Sequence, residues 1–356
     1  MQLSDIRKRI DAVDARLLDL LNERAELVHE VGEVKRRDGS SIFAPEREEK
    51  LLRSLDERNQ AIGGRLPSKA VRAIYREIMS ASYALEKGLT IAYFGPPGTY
   101  THEAARNKFG ASVEYQPHAS IGEVFQAVAR HRADFGVVPI ENSTEGSVSH
   151  TLDSWLDSDL KICGQVLLKI EHNLLSNSPR ESIRKIYSHP QSLGQCRQWL
   201  HQHFPDAELV EAASNTRAAQ LAAAEEGSAA IAGKAAADLY HLKVLETGIQ
   251  DLANNTTRFL VIGHYLCPPS GNDRTSLMFS LHDQSGALFS VLEPFKELGV
   301  SISKIESRPS KRKAWEYFFF VDLEGHASDP VLAEALARVS QRTLFMKNLG
   351  SYPKTE

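Results

Sequence analysis

Apolar residues recur at spacings of three and four through the first stretch of the chain. Leu3, Ile6, Ile10, Val13, Leu17, Leu20, Leu27, Val31 and Val34 hold nine of ten slots, and Arg24 holds the other. This period predicts an amphipathic helix about 50 Å long whose stripe packs against another helix. The pattern ends near Arg37, and Asp38, Gly39, Ser40 and Ser41 form a breaker. Pro45 opens a second helix with Glu46, Arg47 and Glu48 in its first turn, where acids suit the dipole, and Gly63-Gly64 closes it. Pro67 and Ser68 start a third helix through Val71, Ile74, Ile78 and Leu85. Three helices of such unequal length do not enclose a core alone, so the pattern predicts a helical homodimer or a larger homo-oligomer.

The period changes at Gly88. Short apolar runs (LTIAYFG, VEYQP, DFGVVPIEN) now alternate with helical patterns, an α/β signature that continues to TTRFLVIG. Residues 89–266 are long enough for two small α/β lobes around a cleft. CPPSGNDR at 267–274 reads as a linker. Residues 275–352 follow the order strand, helix, strand, strand, helix, strand of a ferredoxin-like α+β unit. The expected architecture is thus an all-α domain over 1–88, a two-lobed α/β domain over 89–266 and an α+β domain over 275–352.

Composition narrows the function. The 356 residues are 42% hydrophobic and 25% charged, with net charge −4. No basic field points to nucleic acid, and no apolar stretch is long enough to span a membrane. The N-terminus is charged and carries no signal-peptide core. Cys163, Cys196 and Cys267 lie far apart without pairing or zinc spacing, which fits a reducing cytoplasm. His201 and His203 lack partners that would complete a metal site, so no metal and no cofactor are expected.

Arg24 is the first chemical clue. A guanidinium in an apolar seam is costly unless an anion meets it. Arg7 and Lys35 lie on nearly the same stripe as Arg24. Lys35 is about 16 Å away along the axis, close enough to converge on a shared ligand; Arg7, at about 25 Å, reaches it only from an antiparallel partner.

The stretches LSDIRKRIDAVD, LLNERAEL, VGEVK and PEREE resemble the all-helical type of chorismate mutase. The resemblance implies that Arg7 of a partner subunit and Arg24 grip the carboxylates of chorismate. It places Lys35 on the ether oxygen and Glu48 on the ring hydroxyl, with Arg47 and Ser82 completing the pocket. The reaction is a pericyclic rearrangement, so fixed cations and donors suffice and no nucleophile is needed. Two positions depart from the family pattern. Ala44 stands where some relatives have an acid. Glu86 stands where many have a glutamine on the ether oxygen, so it helps only when protonated.

In the middle segment, polar clusters sit where strands end, the natural ligand position of open α/β sheets. They are GPPGTYT around Thr99, PIENS with Glu141 and Asn142, SHPQSLGQC with Ser188 and Gln195, and NNTTRF with Asn255, Thr257 and Arg258. Together they resemble prephenate dehydratase, which implies two lobes like those of periplasmic binding proteins with prephenate between them. The resemblance makes Thr257 essential. Arg258 is the expected partner of a substrate carboxylate, and Thr99, Glu141, Asn142, Ser188, Gln195 and Asn255 are expected in the cleft. The reaction expels hydroxide and carbon dioxide together. Thr257 is then a positioned donor, and Glu141 kept neutral by burial is one candidate proton source. His102 and His172 lie near these motifs without an assigned role.

The last segment resembles the ACT regulatory domain. Gly286, Ala287 and Leu288 at the first helix, and Glu306, Ser307, Arg308 and Pro309 at the second strand's end, match effector motifs for phenylalanine. The three motif sets resemble, in order, the bifunctional chorismate mutase/prephenate dehydratases with a regulatory domain. Two alternatives are a non-catalytic amino-acid sensor and a dehydratase preferring arogenate. Intact Arg24, Lys35, Glu48 and NTTRF argue against a pure sensor. A fused dehydrogenase is disfavoured because no GxGxxG follows a strand.

Overall fold

Helix α1 (Leu3–Asp38) runs for 36 residues and is followed by α2 (Pro45–Ala61) and α3 (Ser68–Glu86). The computed structural model describes residues 2–38, 43–310 and 316–354; the breaker residues Gly39, Ser40 and Ser41 lie outside them. The apolar seam stands open along one subunit: Leu3, Leu17 and Leu27 are 63%, 54% and 56% exposed. α1 closes on α3 at Gly32, where an added Cβ would lie 3.1 Å from Glu86 Cγ. A larger side chain there would push the helices apart. Phe43 ties the helices to the next domain, its ring 5.1 Å from Phe109 and 4.7 Å from Phe135.

The first lobe contains β1 (Thr90–Phe94), α4 (Tyr100–Phe109), β2 (Glu114–His118), α5 (Ile121–Ala129), β3 (Phe135–Asn142), β4 (Gly146–Ser147), α6 (Ser149–Ser154) and β5 (Lys161–Lys169). The chain then crosses to the second lobe. This lobe holds β6 (Asn173–Ser176), β7 (Lys185–Ser188), α7 (Pro190–Gln195), α8 (Arg197–His203), β8 (Glu208–Glu211), α9 (Asn215–Ala224), β9 (Ser228–Ala232), α10 (Lys234–Tyr240) and β10 (Lys243–Glu246). Strand β11 (Thr256–Gly263) returns to the first lobe and inserts antiparallel between β3 and β5. The sheet orders are β2-β1-β3-β11-β5, with β4 beside β3, and β10-β6-β9-β7-β8. The two crossings are laced together: Ile170 N–H donates to the Asn255 carbonyl at 2.8 Å and Ile249 N–H to the His172 carbonyl at 2.9 Å. β9 is buried along its whole length, as expected of a strand covered on both faces.

The third domain is β12 (Asp273–Ser280), α11 (Ala287–Glu297), β13 (Ile302–Pro309), β14 (Tyr317–Glu324), α12 (Pro330–Ser340) and β15 (Phe345–Pro353), with sheet order β13-β14-β12-β15. The expected βαββαβ order is present, and β12 begins inside the predicted linker, at Asp273. Both helices cover one face through Val291, Phe295, Leu332 and Val339. The other face lies on the first lobe. A Cβ on Gly350 would come within 2.5 Å of the Ile162 carbonyl, so only glycine permits that approach of β15 to β5. Lys161 Nζ donates across the same seam to the Asn348 carbonyl at 2.6 Å. Among the described residues no helix is long and apolar enough to cross a membrane.

Candidate active sites

Four expected mutase residues line up where α1 meets α3. Arg24 Nη1 donates to Ser82 Oγ at 2.7 Å, so a neutral hydroxyl meets the seam's guanidinium. Ser82 in turn donates to the Ile78 carbonyl at 2.9 Å. Lys35 Nζ lies 3.3 Å from Glu86 Oε2, and Arg36 Nη1 donates to the Glu86 carbonyl at 2.6 Å. Arg7 and Arg47 are exposed.

Glu48 is placed differently from the expectation. Its carboxylate accepts from Lys108 Nζ of α4 at 2.9 Å, and the two side chains are only 12% and 14% exposed. Burial pushes the Glu48 carboxyl up from the usual carboxylate range, and Lys108 opposes that shift. Glu48 thus lies on the face of α2 that docks against the first lobe, in a recess shared with Pro45, Gly164 and Pro353. Tyr265 Oη donates to Glu46 Oε1 at 3.0 Å along the same contact.

In the cleft, four expected residues join one hydrogen-bonded network. Asn142 Oδ1 accepts from the backbone N–H of Thr144 and Glu145 at 3.0 and 3.1 Å, and from the Thr144 hydroxyl at 2.6 Å. That fixes the amide, and Asn142 Nδ2 donates to Asn255 Oδ1 at 2.7 Å and Thr257 Oγ1 at 2.8 Å. Asn255 Nδ2 donates to Gln195 Oε1 at 3.0 Å. Gln195, from the second lobe, sends Nε2 back to Thr144 Oγ1 and Glu145 Oε1 of the first at 3.2 and 3.1 Å. Thr257 Oγ1 spends a lone pair on this network, not its proton, so the hydroxyl keeps a donor for the cleft.

Sequence reasoning assigned no role to His172, yet it belongs to this cluster. Its Nε2 lies 2.7 Å from Gln195 Oε1 and its Nδ1 3.0 Å from Tyr100 Oη. Its signal was the polar triplet Glu171-His172-Asn173 between two apolar strands. Burial lowers the His172 pKa, opposed by the bond to Gln195.

Arg258 and Glu141 do not face the cleft. Successive strand residues point to opposite faces. Thr257 is paired with Asn142 in the ladder and Arg258 with Glu141, so the second pair emerges on the far side. There Arg258 Nη1 donates to Asp322 Oδ2 and Nη2 to Tyr352 Oη, each at 2.6 Å, both partners in the third domain. Burial works against the Arg258 charge; Tyr352, Asp322 and Glu141 more than offset it and raise its pKa. Glu141 lies 3.7 Å from Arg258 and is ion-paired with Lys304, which removes it as a proton source for the cleft.

Two other residues serve structure. Ser188 is fully buried and donates to the Ile231 carbonyl at 2.8 Å. Thr99 caps α4, accepting from the His102 N–H at 3.3 Å.

The regulatory positions divide by the same alternation. Gly286, at φ +79°, caps α11, which Ala287 begins; Leu288 packs on the domain's core. Along β13, Glu306 accepts from Ser147 Oγ at 3.0 Å and Arg308 Nη2 donates to both Asp153 carboxylate oxygens at 3.0 and 3.1 Å. Both therefore hold the first lobe. Ser307 and Pro309 alternate with them and are exposed.

Three family models match the chain in succession: chorismate mutase type II over residues 6–87, prephenate dehydratase over 91–265 and the ACT domain over 275–341. A bifunctional chorismate mutase/prephenate dehydratase of Aquifex aeolicus is 45% identical over 355 residues, covering 99% of this chain and 98% of that protein. The chain belongs to the bifunctional chorismate mutase/prephenate dehydratase family. A second such relative, from Neisseria gonorrhoeae, is 46% identical and covers 98% of this chain and 96% of its own length. The prephenate dehydratase of Arthrobacter aurescens, solved in complex with L-Phe, superposes with a TM-score of 0.70 at 32% identity, covering 75% of this chain and 90% of that one. The family accounts for the three-part architecture of helices, paired lobes and regulatory unit.

Proposed function

We propose that this chain converts chorismate to prephenate, then prephenate to phenylpyruvate, and is inhibited by phenylalanine. The mutase reaction belongs to residues 1–88, the dehydratase reaction to 89–266 and the regulation to 275–352. The observation that carries the reading is the amide network that holds Thr257 Oγ1 as an acceptor and leaves its proton for a ligand. In the cleft, that proton stabilises the departing ring hydroxyl as the ring becomes aromatic. Supplying chorismate to the purified chain is expected to yield phenylpyruvate, and added phenylalanine is expected to suppress it. Prephenate accumulating without phenylpyruvate would refute the dehydratase assignment.

For the mutase step, Arg24 and Lys35 hold the anionic substrate, and Arg7 and Arg47 complete the pocket from exposed positions. Glu86 beside Lys35 opposes the developing ether oxyanion while ionised and donates to it when protonated. Glu86→Gln exchanges that carboxylate for a neutral donor and is therefore expected to raise mutase kcat/KM at neutral pH. A variant with unchanged or lower kcat/KM would remove Glu86 from the role.

The open seam of α1 supports a homodimer, in which a second copy covers Leu17, Leu20 and Leu27 and brings its Arg7 to the pocket. Leu17→Asp with Leu20→Asp is expected to halve the mass measured by sedimentation and to lower mutase activity at least about tenfold, through lost burial of apolar surface. An unchanged mass would place the interface elsewhere. The free, buried cysteines fit a cytoplasmic protein.

A further inference from the structure

His172 is 2% exposed at the first crossing between the lobes, and its ring touches neither Thr257 nor the open cleft directly. Its tautomer nonetheless follows from a chain of donors and acceptors that starts on the backbone. The N–H groups of Thr144 and Glu145 can only donate, so Asn142 must present its oxygen to them. Asn142 Nδ2 then faces Asn255 Oδ1, which turns Asn255 Nδ2 towards Gln195. Gln195 must accept there, and its own Nε2 is spent on Thr144 and Glu145. His172 Nε2, 2.7 Å from the same Gln195 oxygen, must therefore carry a proton, while Nδ1 faces Tyr100 Oη at 3.0 Å, whose one proton is shared with the Glu171 carbonyl at 2.9 Å.

Taking the dehydratase reading as given, we propose that His172 is a positioning residue for the dehydration step. As its Nε2–H tautomer it locks Gln195, Asn255 and Asn142 in the one set of orientations that leaves the Thr257 proton free. The reverse arrangement shows why this matters. If Gln195 turned its amide nitrogen to His172, its oxygen would face the Glu145 carboxylate and Asn255 would have to invert. Asn142 would follow, losing three bonds to Thr144 and Glu145, and its oxygen would take the Thr257 proton. The hydroxyl would then have no donor for the departing group.

The test pairs two conservative variants. Glutamine places its Nε2 where the ring Nε2 lies, whereas asparagine reaches only the Nδ1 position. His172→Gln is expected to keep dehydratase kcat within about threefold of the parent, and His172→Asn to lose about 10²-fold in kcat with KM nearly unchanged. Near-ultraviolet circular dichroism and urea unfolding of the same samples report folding of the lobes. In the parent enzyme, ¹⁵N-histidine NMR is expected to show His172 as the neutral Nε2–H tautomer. Equal losses in both variants, or an Nδ1–H ring in the parent, would overturn the proposal. A parent that does not consume prephenate would instead refute the dehydratase reading, and the NMR signature would still decide the tautomer.

Discussion

Thr257→Ala is expected to lower prephenate turnover by about 10³-fold or more, while chorismate turnover on the same preparation stays within about twofold of the parent. Thr257 is only 8% exposed, and its hydroxyl oxygen is pinned by Asn142 Nδ2 at 2.8 Å. Removing it takes away the proposed donor to the leaving hydroxide and leaves one Asn142 proton without its partner. Thr257→Ser restores the oxygen and is expected to recover most of the rate. Paired assays with prephenate and with chorismate separate a loss at the cleft from a loss of the whole chain, and near-ultraviolet circular dichroism of the same samples reports folding of the lobes. A serine variant as inactive as the alanine variant would show that shape, not the hydroxyl, is what the site requires.

The second large effect concerns stability. Arg258→Ala is expected to cost about 3–5 kcal/mol, because it leaves the buried Asp322 carboxylate uncompensated. The Arg258 and Asp322 side chains are 8% and 10% exposed, and Ser276 Oγ donates to the second Asp322 oxygen at 2.5 Å. The double variant Arg258→Met with Asp322→Leu removes both charges and is expected to regain most of the loss. Urea unfolding followed by near-ultraviolet circular dichroism measures both. The KM for prephenate is expected to stay near the parent value, since Arg258 faces the regulatory domain. A tenfold rise in KM without loss of stability would return this arginine to the substrate.

The same contact links the regulatory domain to the cleft. Thr257 and Arg258 are consecutive on β11, and Arg258 is held by Asp322 of the ACT domain, so a shift of the regulatory sheet would act on the strand that carries Thr257. Lys304 on Glu141, and Glu306 and Arg308 on Ser147 and Asp153, extend this contact along β13. A ligand that favours one seating of this sheet over another would change cleft geometry without touching it.

What the sequence determined by itself is local and periodic. The three-four spacing of the seam marked a long helix with a stripe to cover. The alternation of apolar runs and helical patterns marked the paired lobes, and the βαββαβ order marked the last domain. These features depend on neighbours a few residues apart, and the motif residues converge because Asn142 ends β3, Gln195 ends α7, and Asn255 and Thr257 stand at the start of β11. Tertiary structure decided which face of each element meets which neighbour. Arg258 and Glu141 carry the charges a substrate site would want, yet one step along a strand turns a side chain to the opposite surface, and a whole domain lies there. Glu48 was diverted in the same way when α2 docked on Lys108. His172 entered the site only because two distant crossings are laced side by side. Period shows that a residue has two possible sides, but only packing between domains chooses what each side touches.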